Sequence, residues 1–474
     1  ILFDECEKLV QDVHYRDSIR EPMNDFFRFQ NKALISATPI VPEKDSRFDG
    51  FMRVLIQPDY VYRQKLKLIT TNNVLETLQE VIEAKRGTVC IFCNSIDSID
   101  SFYRLIPELS NACTFCSEDG QYKLWKGNRR KKSMMITELE RYNFFTSRFY
   151  SAVDILCKNP PHVIFVSDLY GAAQSVIDPA TEAIQIIGRF RGGVNSVTHI
   201  ASIRPELECM SSSEIDHWIQ GASTIFNGWK AQLARTTNIG ERTLLQEAIG
   251  ENSYLPYLDE NGKPDSFLIA NFYEKEQVKR LYTSADLLHL AYEQTGYFVF
   301  SHEERLMPVS DNERMAIQHR LAKKKRAELI VRKLEEMEKM SRATDKKIQK
   351  RYQRMLMNLI TSTADRYIYD CFCRFGAKFV READYNENKL RTALNVSSEH
   401  TIKKSGQMRT YIQRAFPVDA EISVQEAKSM LRQVYKKMGL NTGRGITTKE
   451  LEQYAEIENS RNREARMIKI LKHK

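Results

Sequence analysis

A pair of carboxylates, Asp4 and Glu5, follows a short apolar run at the beginning of the sequence. Apolar residues ending in two acids predict a β-strand that presents carboxylates at its carboxyl end. In phosphoryl-transfer enzymes an aspartate in this position helps to hold Mg²⁺, and a neighbouring acid can orient the attacking water. A solvated strand end is the alternative, and an acidic pair alone does not distinguish between the two.

Hydroxyl side chains end the next predicted strand, which covers residues 32–36 and continues into Ser36-Ala37-Thr38. Small hydroxyl residues at a strand end can hydrogen-bond both to the acidic pair and to a neighbouring domain. The same residues also suit an ordinary turn. We therefore predict a contact between this segment and the acidic pair, with a turn as the alternative.

Two arginines occur further along the chain, in the segment Gln185-Ile186-Ile187-Gly188-Arg189-Phe190-Arg191-Gly192-Gly193. The flanking glycines allow the guanidinium groups to project into a cleft. Arginine suits phosphate because its planar group binds two oxygens at once and stays charged. Arg189 or Arg191 could therefore stabilise charge on a transferring phosphoryl group, as an arginine finger does. A basic turn that binds nothing is the alternative.

Four cysteines, Cys90, Cys93, Cys113 and Cys116, have the spacing of a zinc site. Their context favours another interpretation. Residues 88–93 form a continuous apolar run that predicts a buried strand, and residues three apart on a strand point to opposite faces. Two thiolates on opposite faces cannot bind one metal ion, so we expect thiols packed in a core.

The elements above, in this order, resemble the sequence motifs of the superfamily 2 helicases and translocases. The resemblance covers approximately residues 1–205. The matching segments are Asp4-Glu5-Cys6-Glu7 (the acidic box, motif II), Ser36-Ala37-Thr38 (motif III), residues 89–95 (motif IV), residues 145–154 (motif V) and residues 185–191 (motif VI). The resemblance implies an ATP-driven nucleic-acid motor built from RecA-like domains, with ATP and Mg²⁺ as cofactors.

The resemblance also implies roles for individual residues. Asp4 would hold Mg²⁺ through the nucleotide, and Glu5 would polarise the attacking water. The further catalytic candidates are Gln185, Arg189 and Arg191. The residues expected to couple hydrolysis to movement are Ser36, Ala37, Thr38 and Asp154. The residues expected to contact nucleic acid are Asn94, Ser95, Thr146 and Ser147.

The sequence departs from the family pattern in several places. Ala152 stands where motif V usually has glycine, and the two arginines of motif VI are closer together than is usual. The acidic box leaves DNA and RNA open, with DNA favoured as the partner. No Gly-x-x-x-x-Gly-Lys-Ser/Thr loop, which would cradle the phosphates, occurs in the sequence. We therefore expect a chain that begins partway through a longer protein and that does not hydrolyse ATP by itself.

The alternation of strands and helices predicts an α/β fold with a parallel sheet to position these features, and the resemblance implies that the sheets are RecA-like. We predict the C-terminal part of a first RecA-like domain (1–59), a complete second RecA-like domain (60–205) and a mainly α-helical C-terminal region (206–474). The strands are predicted at 88–93, 143–145, 163–166 and 198–201, and the helices at 73–85 and 284–295. A long basic helix is expected near residues 312–362, and a basic helical tail at residues 459–474.

The composition sets limits on class and location. The chain has 474 residues, 42% of them hydrophobic, and a formal net charge of +9, which is compatible with nucleic acid as a partner. No run of about 18 apolar residues occurs, so no membrane-spanning helix is expected. Nine cysteines, mostly in apolar runs, are typical of a reducing compartment, and we expect a cytoplasmic protein.

Two basic regions and one rival function stay open at this stage. The cluster at residues 125–132 could grip phosphates or could be a solvated loop. The long basic helix at residues 312–362 of the helical C-terminal region could follow a nucleic-acid backbone or bind another protein subunit, and a solvent-exposed charged helix is the alternative. The rival function is a non-enzymatic nucleic-acid-binding or scaffold protein that retains a helicase-like fold.

Overall fold

The computed structural model describes residues 1–60, 62–125, 131–133, 135–136, 138–151, 153–307, 309–340, 346–440, 445–461 and 465–474. The chain forms two compact units, Ile1–Glu313 and Arg314–Lys474. Each unit has its own sheet and its own helices.

The first unit is built on a parallel sheet of eight strands among the described residues. In chain order, the strands of the unit are β1 Leu2–Asp4, β2 Ala33–Ile35, β3 Gln64–Thr71, β4 Val89–Phe92, β5 Cys113–Phe115, β6 Lys131–Ser133, β7 Tyr142–Phe145, β8 His162–Ser167, β9 Ser196–Ser202 and β10 Phe298–Arg305. The large sheet has the order β10-β3-β9-β8-β4-β7-β5-β6, with every neighbouring pair parallel. A second, two-stranded sheet pairs β1 with β2.

Helices connect and cover the strands of the first unit. They are α1 Lys8–Gln11, α2 Pro22–Phe26, α3 Val74–Glu83, α4 Ile96–Leu105, α5 Glu118–Trp125, α6 Glu182–Gly188, α7 Ser212–Arg235, α8 Ile239–Gly250, α9 Ser266–Leu281 and α10 Ala285–Gln294, while α11 Asp311–Met315 spans the boundary between the units. Side-chain caps stabilise the first turns of α3 and α4. Asn73 accepts a hydrogen bond from the Glu76 amide, and Ser95 accepts one from the Ser98 amide.

Both faces of the large sheet are buried, which explains the continuous apolar runs in its central strands. One face packs residues such as Cys90 and Phe92, and the other packs Ile91 and Cys93, in two separate hydrophobic clusters. The prediction that residues three apart in this strand point to opposite faces is therefore confirmed. Cys113 and Cys116 divide between the two clusters in the same way.

The prediction of an α/β fold with a parallel sheet and a helical C-terminal region is confirmed. The strands predicted at 88–93, 143–145, 163–166 and 198–201 correspond to β4, β7, β8 and β9. The expected domain limit at residue 205 does not coincide with the limit of the compact unit, which extends to Glu313. The reason is a long-range pairing, because β10 joins the edge of the sheet beside β3.

The second unit is mainly helical. Its helices are α12 Lys323–Met340, α13 Lys346–Ser362, α14 Arg366–Glu382, α15 Glu387–Lys403, α16 Gly406–Ala415 and α17 Val424–Lys437, and a π-helical turn covers Ala316–Arg320. Three strands, β11 Glu421–Ser423, β12 Ala455–Arg461 and β13 Arg466–His473, form an antiparallel sheet in the order β11-β13-β12.

Two predictions for this unit are wrong. The long helix expected at residues 312–362 is interrupted, because Leu321 has an extended backbone (φ −89°, ψ 136°) between the π-helical turn and α12. The helical tail expected at 459–474 is instead part of a β-hairpin formed by β12 and β13. Ile468 and Ile470 alternate into the core, which is the two-residue period of a strand.

No helix among the described residues is long and apolar enough to cross a membrane.

Candidate functional site

The two-stranded sheet brings the acidic segment and the hydroxyl segment together. In the parallel register, Asp4 is opposite Ile35, so both strands end at the same edge. The Asp4 carboxylate accepts a hydrogen bond from the Glu5 amide, with Oδ1 2.9 Å from the nitrogen. On the other strand, the Ser36 hydroxyl accepts from the Thr38 amide at 2.9 Å. These contacts keep the polar side chains of both segments at one end of the sheet.

Glu5 has a left-handed backbone conformation, with a φ of +53°. Non-glycine residues rarely adopt this conformation, because the Cβ atom is crowded there. The conformation turns the chain directly after β1 and leads into α1. Backbone strain of this kind is often found at functional sites, which makes Glu5 a candidate functional residue.

Gln185 of α6 connects these two segments to the arginine segment. Its side chain is buried, and its Nε2 donates to Thr38 Oγ1 at 2.9 Å and to Glu7 Oε1 at 3.3 Å. Its Oε1 accepts from Arg189 Nη2 at 3.2 Å, since residues four apart share one side of a helix. The acidic, hydroxyl and arginine segments of the sequence therefore meet around one amide.

The two arginines of the basic segment have different surroundings. Arg189 is 11% exposed in its side chain, and its Nη1 lies 3.9 Å from Glu5 Oε1. The Arg191 side chain is 64% exposed, and its Nε lies 3.0 Å from Asp154 Oδ1. The amide of Ile155, the residue after Asp154, also donates to the Arg189 carbonyl at 2.9 Å, which is a second connection between this part of the chain and the arginine segment. Arg189, and not Arg191, faces the acidic segment.

Glu7 belongs to this network, although the sequence indicated no role for it beyond its place in the acidic segment. Its side chain is fully buried, and its Oε2 has no hydrogen-bond partner within the described part of the chain. Burial raises the pKa of the Glu7 carboxyl, and the neighbouring Ser36 hydroxyl partly offsets that effect. The sequence signal for Glu7 is an acid three residues after Asp4 and two residues before the buried pair Leu9 and Val10.

The residues predicted to contact nucleic acid lie at the carboxyl ends of β4 and β7, which are neighbours in the sheet. Asn94 Oδ1 accepts from the Ser147 amide at 3.4 Å, and both of these residues are accessible. Ser95 and Thr146 are buried, with Ser95 capping α4 and Thr146 donating to the Phe115 carbonyl at 3.4 Å. Asn94 and Ser147 are thus the two of the four that can reach a ligand.

Most of the basic cluster predicted at residues 125–132 lies outside the described residues, namely 126–130. An open cleft of about 410 Å³, lined by Arg86, Gly87, Thr88 and Arg141, lies at the amino ends of β4 and β7. This position is the opposite edge of the sheet from Asn94 and Ser147.

The acidic side chains of the first unit limit the kind of metal ion that this site could hold. Among the described residues, no group of three or more His, Cys, Asp or Glu side chains is arranged to hold one. Magnesium bound together with a nucleotide needs only one or two carboxylates, because phosphate oxygens and waters complete its shell. Asp4 and Glu5 can supply those one or two carboxylates. The described side chains do not supply the three or more ligands that a metal site made of protein groups alone needs.

A comparison with models of protein families finds no match to this sequence, and a comparison with curated proteins finds none either.

Proposed function

We propose that this chain carries the second half of the ATP site of a superfamily 2 helicase or translocase, with RecA-like domains. The observation that supports this function best is the hydrogen-bonded network around Gln185. Three segments that resemble motifs II, III and VI are separated by up to 178 residues and meet in it. A chance resemblance in sequence gives no reason for such a meeting.

The residues of the network suit phosphoryl transfer. Asp4 would hold Mg²⁺ together with the phosphates, and Glu5 would orient the attacking water. Arg189 would stabilise the charge that develops on the transferring phosphoryl group, because it is the arginine next to the acidic segment. Thr38 and Gln185 would transmit a change at the acidic segment to α6, with Asn94 and Ser147 as contacts to a nucleic-acid strand.

The test is ATP hydrolysis by the product of the complete reading frame, measured with and without single-stranded nucleic acid. Arg189→Ala should lower kcat by about 10³-fold, because an arginine finger contributes that much. The matched control is Arg191→Ala, which removes an exposed guanidinium of the same segment and should have a much smaller effect.

Two outcomes contradict the proposal at different levels. If Arg189→Ala keeps the turnover and Arg191→Ala loses it, the finger is assigned to the wrong arginine. If the unsubstituted protein does not hydrolyse ATP under either condition, the motor function itself is wrong.

One observation favours a second candidate, a non-enzymatic nucleic-acid-binding or scaffold protein. The Gln185 amide finds its hydrogen-bond partners in Thr38, Glu7 and Arg189, so this side chain needs no nucleotide to complete its contacts. Nucleic-acid binding without any hydrolysis in the experiment above would select this candidate.

A further inference from the structure

The two compact units carry opposite net charge. Ile1–Glu313 has 34 lysines and arginines against 43 acids, a formal charge of −9. Arg314–Lys474 has 37 lysines and arginines against 19 acids, a formal charge of +18. The net charge of +9 on the whole chain is therefore the sum of an acidic unit and a strongly basic unit.

This asymmetry bears on where a polyanion would bind. Affinity for nucleic acid comes largely from cations that replace the counterions on the phosphates. The acidic first unit, which holds the proposed ATP site, contributes a net repulsion to such a ligand. The basic unit must then supply most of the attraction.

Within the basic unit, α17 presents a polar and cationic face to solvent. Its opposite face is buried in the core of the unit through Ala427, Leu431, Val434 and Tyr435. The exposed side chains of the helix are Gln425, Glu426, Ser429, Arg432, Gln433, Lys436 and Lys437. The single acid is in the first turn, where a carboxylate favours the helix dipole.

The cations of this face are free to bind a ligand. Within the described part of the chain, Arg432, Lys436 and Lys437 form no ion pair with a carboxylate, although many other exposed cations of the protein do. Two cations in a last turn also stabilise a helix by themselves. Arg432 lies one turn earlier, where the helix dipole has little effect on a cation. The exposed Arg409 and Arg414 of α16 add to the basic character of this part of the unit.

We propose that the second unit binds double-stranded nucleic acid through the exposed face of α17, independently of ATP. Arginine and lysine would contact phosphates, and glutamine and serine can reach phosphates or base edges. A helix of 14 residues is about 21 Å long and fits the major groove of DNA. An anionic membrane is disfavoured, because the exposed face carries no large apolar side chain to insert between lipid headgroups.

The test uses the 474-residue chain and a fluorescently labelled DNA duplex of 20 base pairs in fluorescence anisotropy over a series of NaCl concentrations, without ATP. The triple variant Arg432→Gln/Lys436→Gln/Lys437→Gln should raise Kd at least tenfold. It should also reduce the slope of log K against log[NaCl] by about 2 to 3, because each lost phosphate contact removes nearly one released ion.

The control variant is Lys230→Gln/Arg235→Gln/Arg280→Gln, which makes the same change in net charge on exposed residues of the acidic unit. It should leave Kd within about twofold, since the removed cations lie outside the proposed surface. Circular dichroism should show the same helix content for both variants and the unsubstituted chain.

The proposal is overturned if both triple variants weaken binding equally, or if neither does. It is also overturned if the chain sediments with phosphatidylserine vesicles but does not bind the duplex, or if it binds only a single strand of the same length. The proposed ATP site is tested separately, because Arg189→Ala should not change duplex binding.

Discussion

At the scale of single residues, Gln185 determines how the candidate site is connected. A primary amide has two donor hydrogens and an acceptor oxygen, and here the donors serve Thr38 and Glu7 while the oxygen serves Arg189. Glutamate at this position would place a second carboxylate against the buried Glu7. The amide is therefore the side chain whose chemistry matches all three neighbours.

Gln185→Ala should destabilise the first unit by about 1 to 3 kcal/mol, because the buried Glu7 and Thr38 side chains lose their partner. Urea unfolding followed by tryptophan fluorescence measures this unit alone, since all three tryptophans of the chain lie in it. Gln413→Ala, at an exposed position of the second unit, is the control and should not shift the transition. A shift of equal size in both variants would contradict the assigned role of Gln185.

At the scale of secondary-structure elements, helix caps define where several helices begin. Ser211 forms a capping box with Glu214 at the start of α7, in which each side chain accepts from the backbone amide of the other. The α7 helix is long but contributes only Ile215 and Phe226 to the buried residues. Its stability therefore depends more on local interactions than that of a core helix.

Ser211→Ala should lower the stability of α7 by about 1 kcal/mol, because the cap hydrogen bonds are lost. Two of the three tryptophans, Trp218 and Trp229, lie in this helix, so their fluorescence during urea unfolding detects the change. The neighbouring Ser212→Ala removes an exposed hydroxyl and should change the unfolding free energy by less than about 0.5 kcal/mol. Equal effects of the two substitutions would show that the capping box contributes nothing.

At the scale of the whole molecule, the first unit buries the carboxyl groups of Glu182 and Glu274 where residues 1–59 meet α6 and α9. Burial raises the pKa of Glu182 to about 8 and that of Glu274 to about 7. The Asp178 amide donates to Glu182 at 3.0 Å, and Gln11 donates to Glu274 at 3.3 Å. These groups lie beside the candidate site and respond to pH together.

The first unit should lose stability as the pH rises from about 4.5 to about 8. The sign follows because the folded state holds these protons more tightly than the unfolded state, whose glutamates titrate near 4.5. Urea midpoints from tryptophan fluorescence should fall between pH 5 and pH 8, and the fall should be smaller in Glu182→Gln/Glu274→Gln. A midpoint that rises over this range would contradict the prediction.

The sequence by itself determined the elements whose signals are local. The continuous apolar runs predicted β4, β7, β8 and β9, because strands buried on both faces need no polar alternation. The residue types of the acidic, hydroxyl and arginine segments also indicated a possible site before their distances were known.

Only the tertiary structure decided which of these residues meet. It placed Arg189, not Arg191, beside Glu5 and brought Glu7 to Gln185, because contacts over such separations depend on how α6 packs. It also added β10 to the sheet edge and made the basic tail a hairpin, since strand pairing is set by a distant partner. A local sequence pattern identifies candidate site residues, but the packing of distant elements determines which of these residues come into contact.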